Sequence, residues 1–294
     1  MGAAVIKKES TTRQYTVERE CELLTFLSET LPPKDRRNAK AMLKYRAVLV
    51  NGAVVTQYNH RLKRGHIVTV LPPSHGDDLT GVLYEDDELI VFNKPEGLLS
   101  VATERERDRT AYRLLTEHVQ SRDPRGRIFI VHRLDRDTSG VLLAAKTEKM
   151  KLLLQDNWSE LVKTRGYTAL VEGVPEKSSD TIISWLRETS THVVYDSKIS
   201  GDGLEAVTEY RVLRAGTDYA LLDIRLHTGR KNQIRVAMSG ISHPVAGDKK
   251  YGAATNPLGR LALHAHLLEL THPETGKLMS FKAPVPRAFR RVNG

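Results

Sequence analysis

One stretch, residues 128–146, constrains this chain more than any other. Residues 128–131 and 141–145 are short, continuous apolar runs, and between them stands His132-Arg-Leu-Asp-Arg-Asp-Thr-Ser-Gly140, polar at all but one position. Runs of that length fit strands of a sheet buried on both faces. Apolar flanks would hold the intervening turn rigidly, and a polar loop on a rigid scaffold is where catalytic groups tend to lie. Taken alone, Asp135 between Arg133 and Arg136 is more often a turn former or half of a surface ion pair.

With 294 residues the chain has room for one large and one small domain. Its formal net charge of +9 points to a polyanionic partner. The single cysteine, Cys21, excludes an intramolecular disulfide and a cysteine-based metal cluster, which suits a reducing cytoplasm. No apolar run is long enough to span a membrane and residues 1–6 lack a secretory pattern. A soluble, unprocessed cytoplasmic monomer is the expectation.

Residues 1–14 are unpatterned and are expected to be disordered. From Tyr15 the pattern predicts helices over 21–28 and 38–45, separated by Leu31-Pro-Pro33, then a hairpin over 47–55 around Asn51-Gly52. Residues 15–70 hold ten Lys and Arg against five Asp and Glu. Arg36, Lys40 and Lys44, four apart, share one helix face. Such a face is usually only solvated, but here the excess charge is concentrated. Residues 71–80 read as a linker between a small module at 15–70 and a domain at 81–294.

In that second part, residues 82–97 read as two strands about an acidic turn, ending in Lys94-Pro95. Thr110 and Thr147 are placed to cap helices, the first carrying Leu114, Leu115, His118 and Val119 inward, the second Met150, Leu153, Leu154 and Trp158. Alternation puts Tyr167, Ala169 and Val171 on one side of a strand, where a tyrosine is ordinarily core. Residues 174–219 say little beyond turns at 178–180 and 201–203 and a strand at 209–213. Ile234, Met238 and Ile241 recur at helical spacing, which sets Arg235 at the edge of a buried face. His264, His266 and His272 could suggest a metal, but alternation turns Glu269 away from the first two, so no metal site is expected.

His132-Arg-Leu-Asp-Arg-Asp-Thr-Ser-Gly140 resembles the signature of the RluA-type pseudouridine synthases. The resemblance continues in the opening strands, in Lys163-Thr-Arg-Gly-Tyr-Thr-Ala-Leu-Val-Glu-Gly173 and in the segments 226–236 and 243–252. It departs at Asn232 and Ala237, where many members have His. The front part is similar to the small RNA-binding module first seen in a ribosomal small-subunit protein, although that module usually has Gly near Tyr45 or Arg46 and an acid where this chain has His66. The resemblance implies an α+β fold, with a mixed, largely antiparallel sheet and a central cleft. It also implies isomerisation of uridine to pseudouridine in RNA, without cofactor or metal. Asp135 would be the catalytic carboxylate, Tyr167 the residue packing on a flipped base and accepting its proton, and Arg235 the partner of Asp135, with Arg230 as runner-up. His132, Arg133, Arg136 and Arg230 would contact the substrate, as would Arg36, Lys40 and Lys44 in front. Ribosomal RNA is the favoured target, with transfer RNA as the alternative. The rival from another class is a non-catalytic RNA-binding or ribosome-assembly factor.

Overall fold

The computed structural model describes residues 13–32, 36, 39–44, 48–70, 79–104, 106 and 110–291. The chain divides into two compact units, Met1–Asp77 and Asp78–Gly294.

The first unit runs β1 (Arg13–Thr16), β2 (Cys21–Glu22), α1 (Leu23–Thr30), α2 (Ala39–Lys44), β3 (Val48–Val50), β4 (Ala53–Val54), β5 (Arg61–Leu62) and β6 (Ile67–Val70). Its main sheet is ordered β1-β6-β3-β4, and β2 pairs with β5. Two expectations are corrected. Arg13 and Gln14 belong to β1, paired with Val70 and Thr69, so order begins ahead of Tyr15. Cys21 and Glu22 are a strand and the first helix starts at Leu23, because backbone pairing with Leu62 and Arg61 holds those two residues extended. The hairpin turns at Asn51 (φ 49°) and Gly52 (φ 82°), the double left-handed turn that Asn-Gly favours. Leu23, Leu27, Leu43, Val48 and Val68 fill the core under this sheet. Arg36, although exposed, donates to the carbonyls of Leu31 (2.6 Å) and Glu29 (3.1 Å) and so closes the end of α1. Lys40 is exposed. The side chain of Lys44 and most of the linker, residues 71–78, lie outside what is described.

The second unit contains β7 (Val82–Glu85), β8 (Leu89–Lys94), α3 (Ala111–Arg122), β9 (Phe129–Ile130), β10 (Ser139–Ala145), α4 (Glu148–Asp156), α5 (Trp158–Leu161), β11 (Val162–Glu172), β12 (Ser179–Glu188), β13 (Val194–Asp196), β14 (Leu204–Ala215), β15 (Tyr219–Leu226), α6 (Gln233–Gly240), β16 (Leu263–Thr271), β17 (Leu278–Lys282) and α7 (Ala288–Arg291). The strands form one sheet ordered β13-β12-β14-β15-β11-β16-β10-β8-β7, with β9 added to β10 and β17 to β16. All pairs are antiparallel except β10 with β16, so the α+β, largely antiparallel expectation holds. Thr110 and Thr147 cap α3 and α4 by accepting from the amides of Arg113 and Met150, each at 3.1 Å. Trp158 opens α5 instead of continuing α4, yet packs in the same core. The segment 174–219 holds the long β12–β14 pairing, where Ser178-Ser-Asp had suggested a turn. Burial alternates along β12, but its less exposed side carries Asp180 and Ser184 while Ile183 is exposed, so the residue types do not reveal the alternation. Among the described residues no helix is long and apolar enough to cross a membrane.

The topology creates a junction at Ala265. Gly140 of β10 and Tyr167 of β11 both pair with this one residue of β16, from its two sides. The loop carrying Asp135 and the strand carrying Tyr167 are thereby made neighbours, although 32 positions separate them. Gly140 is required there. Its φ is +116°, and a Cβ would lie 2.0 Å from the carbonyl oxygen of Ala265, an approach only glycine allows.

Candidate active site

Asp135 opens a four-residue turn closed by the amide of Thr138 donating to its carbonyl at 3.2 Å. Three tethers fix the turn from outside. Ser100 Oγ donates to the carbonyl of Leu134 at 2.9 Å and accepts from its amide at 3.1 Å. Lys94, fully buried, donates from Nζ to the carbonyls of Pro95, Leu98 and Arg136 at 2.7–3.1 Å. Burial pushes this ammonium down to about 8, with the charges of Asp137 and Asp135 opposing. Arg260 donates to Ser139 Oγ at 2.9 Å while pairing with Glu96 at 2.7 Å. The sequence marked the turn as rigid. These tethers show what makes it so.

Arg235 reaches Asp135 from α6, as the resemblance implied, but its two-pronged pair is made with a second carboxylate. Its Nε and Nη2 donate to Asp248 at 2.6 and 2.7 Å, a two-pronged pair with a carboxylate only 1% exposed. The remaining Nη1 donates to Asp135 at 3.4 Å and to Asn232 Oδ1 at 3.1 Å. The guanidinium also lies 4.8 Å over the Tyr251 ring. Burial is the largest influence on Arg235 and disfavours its charge, but the hydrogen bonds and charge of Asp248, with the charge of Asp135, outweigh it and raise the pKa. Asp248 therefore neutralises and orients the arginine, and Asp135 receives one long contact that leaves it available for chemistry.

Asn232, one of the two departures from the pattern the sequence resembles, takes a left-handed conformation (φ 55°) at the start of α6 that asparagine tolerates. Its amide donates to Tyr251 Oη at 2.8 Å, so it links Tyr251 to Arg235. Gln233 accepts from Thr228 Oγ1 and the Arg230 amide and donates to Val207 O and Thr208 Oγ1, which fixes the approach to α6. Asp248, Asn232, Tyr251, Lys94 and Arg165 are absent from the sequence-derived site. No spacing rule joins residues 235 and 248; the only signal was that Gly-Asp-Lys-Lys-Tyr-Gly252 fell inside a matching segment.

Tyr167 is half-buried and packs between two apolar clusters. The register irregularity opposite Tyr167 places its extra residue, His266, on β16, while β11 itself pairs without a break to β15 through Gly166 and Tyr167. Burial pushes its hydroxyl up to about 12, with Arg165 opposing and Asp135 adding to the rise. The phenol is therefore neutral at physiological pH, suited to relaying a proton and unsuited to acting as a free phenolate. Arg133 and Arg136 are exposed beside Asp135, and Arg230 is exposed with Nε donating to the carbonyl of Glu205 at 3.1 Å. His132 is placed differently: its Nε2 accepts from the amide of Leu143 at 2.9 Å, and its ring lies 5.0 Å from that of Trp158. Burial, helped by Arg165, pushes it down to about 4. That ring is tied to the protein's own backbone. His264 and His266 meet Ser139 Oγ (2.8 Å) and Thr168 Oγ1 (3.1 Å). Among the described residues no group of three or more His, Cys, Asp or Glu could hold a metal.

Comparison with known proteins agrees with this architecture. The family model for RNA pseudouridylate synthase matches residues 88–240. The ribosomal large subunit pseudouridine synthase D of Pasteurella multocida is 32% identical over 90% of this chain and 87% of its own length. An RNA pseudouridine synthase of Bacillus subtilis, YlyB, is 33% identical over 89% of each chain. The solved human RNA pseudouridylate synthase domain containing protein 4 superposes with a TM-score of 0.60 at 26% identity, covering 71% of this chain and 90% of that one. The chain belongs to the RluA-type RNA pseudouridine synthases, isomerases that convert uridine in RNA to pseudouridine.

Proposed function

We propose that Asp135 is the catalytic carboxylate of a synthase acting on large-subunit ribosomal RNA. The observation that carries the reading is the chain of contacts Asp248–Arg235–Asp135: a buried carboxylate fixes the arginine, and the arginine presents one N–H to a carboxylate 31% exposed and open to a substrate. The glycosidic C1′–N1 bond breaks, the uracil turns, C1′–C5 forms, C5 gives up its proton and N1 gains one. Asp135 acts on the sugar or the ring during bond cleavage, Arg235 orients it, and Tyr167 stacks on the flipped base and relays the C5 proton. Arg133 and Arg136 offset the cost of extracting the base through contacts with RNA. The ribosomal target is supported by the similarity to ribosomal large subunit synthases from Pasteurella multocida, Nitrosomonas europaea and Haemophilus influenzae. In the first unit Lys40 and its basic neighbours add phosphate contacts.

The test is to map pseudouridines across ribosomal and transfer RNA from cells with and without this protein. Loss of a large-subunit position is expected. Loss confined to transfer RNA would move the target there, and an unchanged map would favour the assembly-factor role.

Tyr167→Phe keeps the ring and removes the hydroxyl. RNA affinity is expected to stay within a few fold, while turnover falls by about 10²–10⁴. Because the hydroxyl is held up at about 12, wild-type turnover should show no rise from its ionisation between pH 7 and 10. Full turnover by the variant would make Tyr167 a packing residue only.

A further inference from the structure

Arg165 stands two residues before Tyr167 on β11. Its Nη2 donates to the carbonyl of His227 at 2.9 Å, and its Nη1 rests on Gly229, where a Cβ would come within 2.5 Å. The absence of a side chain at 229 is what leaves room for the guanidinium. Arg230 follows directly, exposed and bonded through Nε to a backbone carbonyl. Burial, and after it the nearby charge of Arg230, lower the pKa of Arg165. Among the described residues no carboxylate pairs with either, and the nearby Glu209 pairs instead with His227 at 3.1 Å. Two unpaired guanidiniums, one partly desolvated, form an arrangement that an anion would stabilise.

We propose that Arg165 and Arg230 together seat a backbone phosphate of the RNA next to the flipped nucleotide, an inference that rests on reading Tyr167 as the platform for its base. A strand repeats on one face every two residues, about 6.5 Å, which is the scale separating a nucleobase from its neighbouring phosphate. Arg165 and Tyr167 are spaced to hold the two parts of one nucleotide. The carbonyl of His227 consumes one N–H of Arg165 and fixes its plane, leaving the rest of the fork for phosphate oxygens.

The probe is a fluorescent pentanucleotide with one central uridine between abasic residues, so that only one base can enter the cleft. Versions with a neutral methylphosphonate on the 5′ or the 3′ side of that uridine are compared, and the full-length protein is titrated at several salt concentrations. Arg165→Gln and Arg230→Gln are each expected to weaken binding about tenfold. In the double variant the slope of log affinity against log salt should fall by about 0.7, the value for one single-strand phosphate. One methylphosphonate should weaken wild-type binding about as much and add little to Arg165→Gln. Arg230, on the surface, serves if Arg165→Gln fails to fold. Gly229→Ala, which pushes the guanidinium aside without removing it, should weaken binding as well. Wild-type affinity and salt slope in either Gln variant, equal methylphosphonate penalties in wild type and variant at both linkages, or no binding of the probe by the wild type would each overturn the assignment. The probe requires no isomerisation, so a failure here is distinct from failure of the pseudouridine map.

Discussion

Asp135→Asn is expected to bind the target RNA within a few fold of wild type and to form no detectable pseudouridine. Asparagine has nearly the same volume, and the turn does not depend on the carboxylate: it is closed by the backbone bond between Thr138 and Asp135 and held by Ser100, Lys94 and Arg260. The ion pair lost is a single 3.4 Å contact to an arginine that keeps its main partner, so the stability cost should be no more than about 1 kcal/mol. What disappears is the negative charge proposed to act at the sugar or ring. Removing an interaction made in the transition state lowers turnover without abolishing binding. Proton release from C5 and chemical mapping of the product measure the effect. Clear residual isomerisation by a folded Asp135→Asn would sink the role proposed for this residue.

Asp248→Asn should have the larger effect on stability. The wild-type carboxylate is 1% exposed and takes two hydrogen bonds from Arg235. Its removal leaves a guanidinium, itself only 14% exposed, with a single distant carboxylate. Breaking a buried pair on one side costs about 3–5 kcal/mol, readable as a shift in the denaturant midpoint. Turnover should fall as well, because Arg235 is then free to swing onto Asp135 and to draw it out of line. Asp248→Glu, which keeps the charge but moves it, should recover part of the stability and less of the turnover. A variant as stable and active as wild type would show that Arg235 needs no buried partner.

The two units of the fold differ in how far local sequence could define them. In the first, Asn51-Gly52 specifies a hairpin by backbone preference alone, and the turn is where the sequence put it. The start of the first helix was misplaced because Cys21 and Glu22 are extended through pairing with residues 61 and 62, a contact no local pattern encodes. In the second, Thr110 and Thr147 announced their helices because a capping hydroxyl acts on an amide three residues away. The β12–β14 pairing stayed hidden, because β12 buries Ser184 and exposes Ile183, so its alternation of burial is not an alternation of polar and apolar residues.

The sequence by itself determined the polar loop between the half-buried β9 and the buried β10, the tyrosine strand, the helix carrying Arg235 and the resemblance that named the chemistry. These are properties of contiguous residues, where backbone preference and apolar periodicity act over a few positions. Only the tertiary structure decided which groups meet. Pairing of both Gly140 and Tyr167 with Ala265 joins the loop to the tyrosine. Asp248, thirteen residues beyond Arg235, takes two of the arginine's hydrogen bonds and leaves a single long one to Asp135, the partner the resemblance implied. His132, read as a substrate contact, bonds to the amide of Leu143. A charged or polar side chain chooses among all partners within a few ångströms, and once buried it must be satisfied by whichever the fold brings there. That choice depends on strand register and loop closure across the whole sheet, and it is not contained in any one segment.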